Sequence, residues 1–312
     1  MSNASVIATL AGLGALSVPM LREGLRKPMN ARAREAAPGQ FAQLSQGITH
    51  YQWLGAAEGP VAVCVHGLTT PSFVWRTLAE DLGAMGFRVL VYDLFGRGFS
   101  DRPRGPQGAA FFTQQLDDLL RHEGVRQDIT LIGYSMGGAI ATSFAAEHGH
   151  RLRRLILLAP AGMGHDLGRL AAWAVDWPVI GDWAFHLGFP RSLLDGIRAD
   201  AARHPEAAVL QPLLEAELTY RGYSRSVLAS LRGILRATQP DEHRHIARQA
   251  LPVTAIWGRD DTVIPIRAMA QLTQWNRDAR NEVIKGAGHG LPYTHKDHVI
   301  QAIRDTWVGP VV

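Results

Sequence analysis

Ile129-Thr130-Leu131-Ile132-Gly133-Tyr134-Ser135-Met136-Gly137-Gly138-Ala139-Ile140-Ala141 runs from an apolar, strand-like stretch through a glycine-flanked serine into a helix former. Glycines two residues before and two after the serine suit a turn too tight for neighbouring side chains. Such a turn lifts the hydroxyl clear of a sheet edge and sets it at a helix N-terminus. This is the strand–turn–helix arrangement of a serine nucleophile. G-x-S-x-G spacing alone is weak in a glycine-rich chain, so its context decides.

Outward from Ser135, strand-like and helical runs alternate. Thr49–Leu54 reads as an edge strand, Pro60–Val65 and Arg88–Asp93 as buried strands, and Asp128–Ile132 and Leu152–Leu158 as the strands around the serine. Phe73–Leu82, Phe111–His122 and Met136–His148 read as helices between them. From about Gly162 to Ile246 no strand-like run occurs, only amphipathic stretches rich in Trp, Leu and Ala. The alternation resumes with Leu251–Trp257, Ile266–Trp275, Asn281–Lys285 and a last helix, Lys296–Trp307. This order predicts an α/β architecture with a doubly wound, mostly parallel sheet and an inserted all-helical cap. The expected division is 41–161 with 247–312 as core, 162–246 as cap, and 1–40 as an apolar segment with a basic linker.

Size and composition agree with one such unit. The chain has 312 residues, 46% apolar content and a net charge of +4, which excludes a disordered chain. Its basic residues, nearly all arginine, are scattered rather than gathered in a stripe, so nucleic-acid binding is not expected. Cys64 is alone, which rules out an intrachain disulfide. It lies in an apolar run as a buried, inert thiol. No cofactor is implied, and His243 and His245 lack the partners of a metal site. Residues 5–21 are uncharged and largely apolar, and Arg22, Arg26, Lys27, Arg32 and Arg34 follow. Seventeen residues fall short of the ~20 that span a bilayer. The segment is a candidate for membrane attachment or for a helix packed on the domain. If it spans, the basic flank puts the remainder on the cytoplasmic side. The composition leaves oligomeric state open.

A serine hydroxyl needs a base, and the base needs a carboxylate to fix its tautomer. Both are available at strand ends. After Val253–Trp257 comes Gly258-Arg259-Asp260-Asp261, and after Glu282–Lys285 comes Gly286-Ala287-Gly288-His289-Gly290. His289, flanked by glycines, has room to reach Ser135; Asp260 and Asp261 both remain candidates for the acid. An oxyanion hole needs two backbone donors. Met136, following the serine at its helix N-terminus, supplies one. Leu68, in His66-Gly67-Leu68-Thr69-Thr70, supplies the other. His66 reads as a structural residue fixing that loop, and Asp93 and Arg97 tie down the loop 93–103. Trp173, Trp177 and Trp183, with Phe185, Phe189, Leu193 and Leu194, are candidates to line an apolar substrate pocket.

The His-Gly loop, the loop Asp93–Pro103, Gly-Tyr-Ser-Met-Gly-Gly and the late Asp and His together resemble the α/β-hydrolase fold serine hydrolases with a helical cap. The resemblance runs from about residue 60 to 292. It implies Ser135, His289 and Asp261 as the catalytic triad, because the family's acid commonly lies three residues after the glycine of W-G-x-x-D. His66–Trp75 and Tyr92–Pro103 look most like carboxylesterases and monoacylglycerol-lipase-like enzymes, which implies cleavage of an apolar ester. Carbon–carbon hydrolases of the meta-cleavage type share the elbow and the cap; their acidic substrates call for a positive charge in the pocket. A non-catalytic ligand-binding protein on the same fold is the alternative of another class.

Overall fold

The computed structural model describes Gly14, residues 17–164 and residues 169–306. Eight strands form one sheet: β1 (Gln40–Leu44), β2 (Gly47–Gly55), β3 (Val61–Val65), β4 (Arg88–Tyr92), β5 (Ile129–Tyr134), β6 (Leu152–Leu158), β7 (Val253–Gly258) and β8 (Arg280–Ile284). Their order is β1-β2-β4-β3-β5-β6-β7-β8. β1 and β2 pair antiparallel, as do β2 and β4, while every other pair is parallel. The switch of strand order around β3 leaves a crevice at the carboxyl edge, where open α/β sheets bind ligands.

β5 is buried along its whole length, as expected of a strand with helices on both faces. Two apolar layers result. One packs Leu116, Leu119, Ile140 and Phe144 against Val63, Leu131 and Leu157. The other packs Trp75, Leu78, Leu82, Val299 and Ile303 against Cys64, Val89 and Ile256. Cys64 is fully buried and unpaired, and burial raises its thiol pKa. β2 is not the edge strand expected from 49–54. Phe41 pairs with His50 and Leu44 with Gly47, so β1 covers that edge.

Between β6 and β7 the described residues are mainly helical. The principal helices are Arg169–Asp176, Ile180–Arg203, Gln211–Glu217 and Tyr223–Arg232. The helix Pro240–Arg248 packs on the elbow helix Met136–His148 and on the helix Arg267–Trp275. His243 and Ile246 form its buried face. Residues 240–246 therefore belong to the layer against the sheet, and the covering insertion ends earlier than 246. Periodicity could not separate the two, because both packings bury one stripe of an amphipathic helix.

Most of the apolar run 5–21 lies outside the described residues, as does Trp307. Residues 17–25 are helical, and among the described residues no helix is long and apolar enough to cross a membrane. The basic linker is clipped to the insertion: the Lys27 N–H donates to Thr219 O at 3.1 Å and the Arg221 N–H to Lys27 O at 2.8 Å. Arg26 donates to Ser224 Oγ at 2.9 Å.

Candidate active site

Ser135 follows β5 directly and precedes the helix Met136–His148, with φ 54° and ψ −118°. That region costs a non-glycine residue about 1–3 kcal/mol and persists only where the surroundings enforce it. Backbone bonds do so: the Ser135 N–H donates to Leu158 O at 2.9 Å, and Ser135 O accepts from Gly138 N at 2.8 Å and Ala161 N at 3.0 Å. The neighbouring glycines are required by space. A Cβ on Gly133 would lie 2.4 Å from Gly137 O, and one on Gly137 would lie 2.0 Å from Val65 O.

His289 and Asp261 meet Ser135 from the ends of β8 and β7. His289 Nε2 lies 2.9 Å from Ser135 Oγ, and His289 Nδ1 lies 2.8 Å from Asp261 Oδ2. An ionised carboxylate only accepts, so Nδ1 carries the proton and Nε2 is left to accept from the serine hydroxyl. Asp261 is 5% exposed. Its Oδ1 accepts from the Val263 and Ile264 N–H groups, both at 2.8 Å, so each carboxylate oxygen has a fixed task. Asp260 points to solvent, while its N–H donates to Ala287 O at 2.9 Å and the Arg259 N–H to Ile284 O at 3.0 Å. These bonds zip the loops after β7 and β8 together and hold Asp261 and His289 in register. The Tyr134 hydroxyl donates to His289 O at 3.0 Å, and its ring packs beside the imidazole with centroids 5.3 Å apart.

Beside Ser135 stands the loop after β3. A Cβ on Gly67 would touch Ser135 Cβ at 3.4 Å, so the loop passes directly beside Ser135. Leu68 lines the same cavity as Ser135. Met136, first residue of its helix, has an N–H with no acceptor inside that helix. His66 is structural, as its position suggested. Its Nε2 accepts from the Leu94 N–H at 2.9 Å, so Nδ1 donates to Gly67 O at 2.8 Å. Burial lowers its pKa to about 4, which keeps the ring neutral. Asp93 accepts from the Ser72 N–H at 2.8 Å, the Phe99 N–H at 2.9 Å and His50 Nδ1 at 2.7 Å. Burial alone would raise its pKa, but the hydrogen bond and charge of His50 outweigh it and hold the carboxyl near 2.

A cavity of about 610 Å³ opens above Ser135. Phe185, Phe189, Leu193 and Ile197 of the helix Ile180–Arg203 form one wall, and Leu214, Val227, Leu231 and Leu235 another. The three tryptophans do not line it. Trp173 is 42% exposed and Trp177 57% exposed. The helix Arg169–Asp176 buries Ala174 and Val175 where it crosses the next helix. A Cβ on Gly181 would lie 2.4 Å from Ala174 O there, which leaves no space for an indole. Trp183 is half-buried, two residues from Phe185 and hence on another face of its helix. Leu194 also faces away from this cavity, against a groove with Arg22 and His186. Asp200, Tyr293 and Arg97 were not anticipated as site residues. Among the described residues, Asp200 and Arg203 are the charged groups of the wall besides His289, with Arg203 Nη2 3.4 Å from Asp200 Oδ1. Among the described residues no cluster of His, Cys, Asp and Glu could hold a metal ion.

Known proteins give the same outline. The sequence matches the alpha/beta hydrolase fold family model over residues 60–296. It is 28% identical over 267 residues to a 2-hydroxy-6-oxo-2,4-heptadienoate hydrolase of Pseudomonas putida, covering 80% of this chain and 89% of that protein. The structure is similar to an enol-lactonase of Burkholderia xenovorans, with a TM-score of 0.70, 21% identity, and coverage of 85% of this chain and 98% of that one. It is also similar to an esterase of Exiguobacterium antarcticum, with a TM-score of 0.71, 20% identity, and coverage of 86% and 98%. The chain belongs to the alpha/beta hydrolase fold family, and it is as a hydrolase of that family that its site is to be understood.

Proposed function

We propose that this protein hydrolyses a neutral carboxylic ester through an acyl-enzyme, with Ser135 as nucleophile, His289 as base and Asp261 as orienting acid. The observation that carries the reading is the continuous relay Asp261–His289–Ser135, at 2.8 and 2.9 Å, opening into a mostly apolar cavity. His289 Nε2 takes the hydroxyl proton as Oγ attacks the ester carbon. The oxyanion rests on the Leu68 and Met136 N–H groups. The imidazolium then protonates the departing alkoxide. Water, deprotonated by the same nitrogen, attacks the acyl carbon, releases the acid and restores Ser135.

A second reading, carbon–carbon cleavage of an acidic dienoate, is favoured by the named activity of the Pseudomonas putida relative. The cavity wall speaks for the ester. Among the described residues the cation lining it, Arg203, is paired with Asp200 and largely exposed, and the Asp200 carboxylate faces the substrate space. A carboxylate substrate gains nothing there, whereas a neutral acyl chain gains ~25 cal/mol per Å² buried. We expect p-nitrophenyl esters of medium chain length, or glyceride-like esters, to turn over far faster than the dienoate. Ser135→Ala should lower kcat by about 10⁶-fold and abolish labelling by a fluorophosphonate. Wild-type turnover in Ser135→Ala would refute the assignment, and failure of the unsubstituted protein to label would favour a binding protein on the same fold. The apolar run 5–21 carries a separate proposal, attachment to a membrane surface, which the basic residues following it support.

A further inference from the structure

Three consecutive carbonyls of the loop beside Ser135 are each held by a buried side chain, one from the loop itself and two from distant parts of the chain. Gly67 O accepts from His66 Nδ1 at 2.8 Å. Leu68 O accepts from Arg97 Nε at 2.9 Å, and Thr69 O accepts from the Tyr223 hydroxyl at 2.9 Å. The Gly67–Leu68 peptide is trans, so its N–H points opposite to its carbonyl. Fixing Gly67 O on one side thus aims the Leu68 N–H to the other. The next two carbonyls set the torsions that would otherwise let that peptide swing.

Arg97 is fully buried, and its guanidinium ties Leu68 O to the loop 93–107 and to the insertion. Besides Leu68 O, it donates to Phe95 O and Gln107 Oε1, both at 3.0 Å. It also reaches Ser226 O at 3.3 Å and Ser230 Oγ at 2.8 Å. All five N–H donors of the side chain are used. Burying an arginine so completely is costly unless every donor is met. Ser226, Ser230 and Tyr223 all lie on one helix of the insertion, Tyr223–Arg232. Its Glu217 neighbour, also buried, accepts from the Gly98 N–H at 3.0 Å and so binds the loop 93–103 to the insertion again.

The geometry points to Arg97 and Tyr223 as positioning residues for the oxyanion hole: through them the insertion helix Tyr223–Arg232 sets the aim of the Leu68 N–H. That helix is thereby part of the catalytic apparatus as well as of the cavity wall, to which it contributes Val227 and Leu231. The inference rests on the serine-hydrolase reading above.

The test compares Tyr223→Phe and Arg97→Lys with the unsubstituted protein on one p-nitrophenyl ester. It adds two inhibitors of equal chain length, a trifluoromethyl ketone and the corresponding methyl ketone. The fluorinated ketone adds Ser135 and places an oxyanion in the hole, whereas the methyl ketone reports only occupancy of the cavity. A lost oxyanion donor costs ~10²–10³ in kcat, and a mis-aimed one costs part of that. Tyr223→Phe should therefore lower kcat about 10-fold, with KM within about twofold. It should weaken the trifluoromethyl ketone by a similar factor and leave the methyl ketone unchanged. Arg97→Lys should do the same about 100-fold; if it fails to fold, Tyr223→Phe decides alone. The inference is overturned if Tyr223→Phe keeps wild-type kcat and fluorinated-ketone affinity, or if both ketones weaken equally. Failure of the underlying reading looks different: the unsubstituted protein would then neither turn over the ester nor bind the fluorinated ketone more tightly than its analogue.

Discussion

Replacing Asp261 by asparagine should disable the base without disturbing the fold, and the reason lies in the other carboxylate oxygen. Oδ1 accepts two backbone N–H groups, from Val263 and Ile264, each at 2.8 Å. In Asp261→Asn the amide oxygen must stay on those donors. Turned around, the amide NH₂ would face two N–H groups and leave buried donors unmet, at about 1–3 kcal/mol each. The NH₂ is thereby forced toward His289 Nδ1, which then has to accept. The imidazole proton moves to Nε2, and Ser135 Oγ, 2.9 Å away, loses its acceptor. In serine-protease triads the same tautomer error lowers kcat by ~10⁴, or roughly 5.4 kcal/mol at ~1.36 kcal/mol per tenfold. Steady-state hydrolysis of a p-nitrophenyl ester should show this fall in kcat, with KM nearly unchanged and the melting temperature within a few degrees. Asp260→Asn, at an exposed position, should stay within twofold. If Asp261→Asn retains a tenth of wild-type kcat, or Asp260→Asn proves the more damaging, the acid assignment is wrong.

Phe189→Ala should shift chain-length preference, because its ring stands in the cavity wall and stacks on Phe185 with centroids 4.6 Å apart. kcat/KM for an octanoyl ester should fall about 10-fold more than for an acetyl ester, while Trp177→Ala leaves the ratio unchanged. Equal effects of the two substitutions would return the tryptophans to the binding surface. Removal of residues 1–21 should move the protein from the membrane fraction to the supernatant; a full-length protein that is already entirely in the supernatant would end the attachment proposal.

The sheet and the convergence of Ser135, His289 and Asp261 were legible because each rests on a constraint that is local in sequence. A strand buried on both faces must be a largely apolar run, as β3, β5 and β7 are, and as β6 is from Leu155 onward. The turn at Ser135 needs glycines at fixed offsets, since a Cβ at Gly133 or Gly137 would strike backbone. The loops carrying Asp261 and His289 follow strands directly, so the parallel sheet delivers both to the same edge as Ser135. β1 was not legible. Gln40-Phe41-Ala42-Gln43-Leu44 is short, polar on one side and close to the basic linker, and it becomes a strand only through pairing with β2.

The substrate wall fails to appear in the sequence for a different reason. Hydrophobic periodicity marks the buried face of a helix but not what covers it. Helix Ile180–Arg203 presents Phe185, Phe189, Leu193 and Ile197 to a cavity, and a helix facing a solid core would show the same stripe. Size is equally misleading. Two of the insertion's three tryptophans, Trp173 and Trp177, are exposed and stand outside the cavity, while smaller side chains line it. The clamp on the oxyanion loop is further from view still, since Tyr223 and Thr69 meet across 154 residues. An arginine in a glycine-rich loop and a tyrosine at the start of a helix carry no pattern that links them. Their partners are backbone carbonyls, which every residue type possesses. Positioning devices built on main-chain acceptors thus leave no trace in residue identity on one side of the contact, and only the folded chain shows that the insertion reaches the catalytic loop.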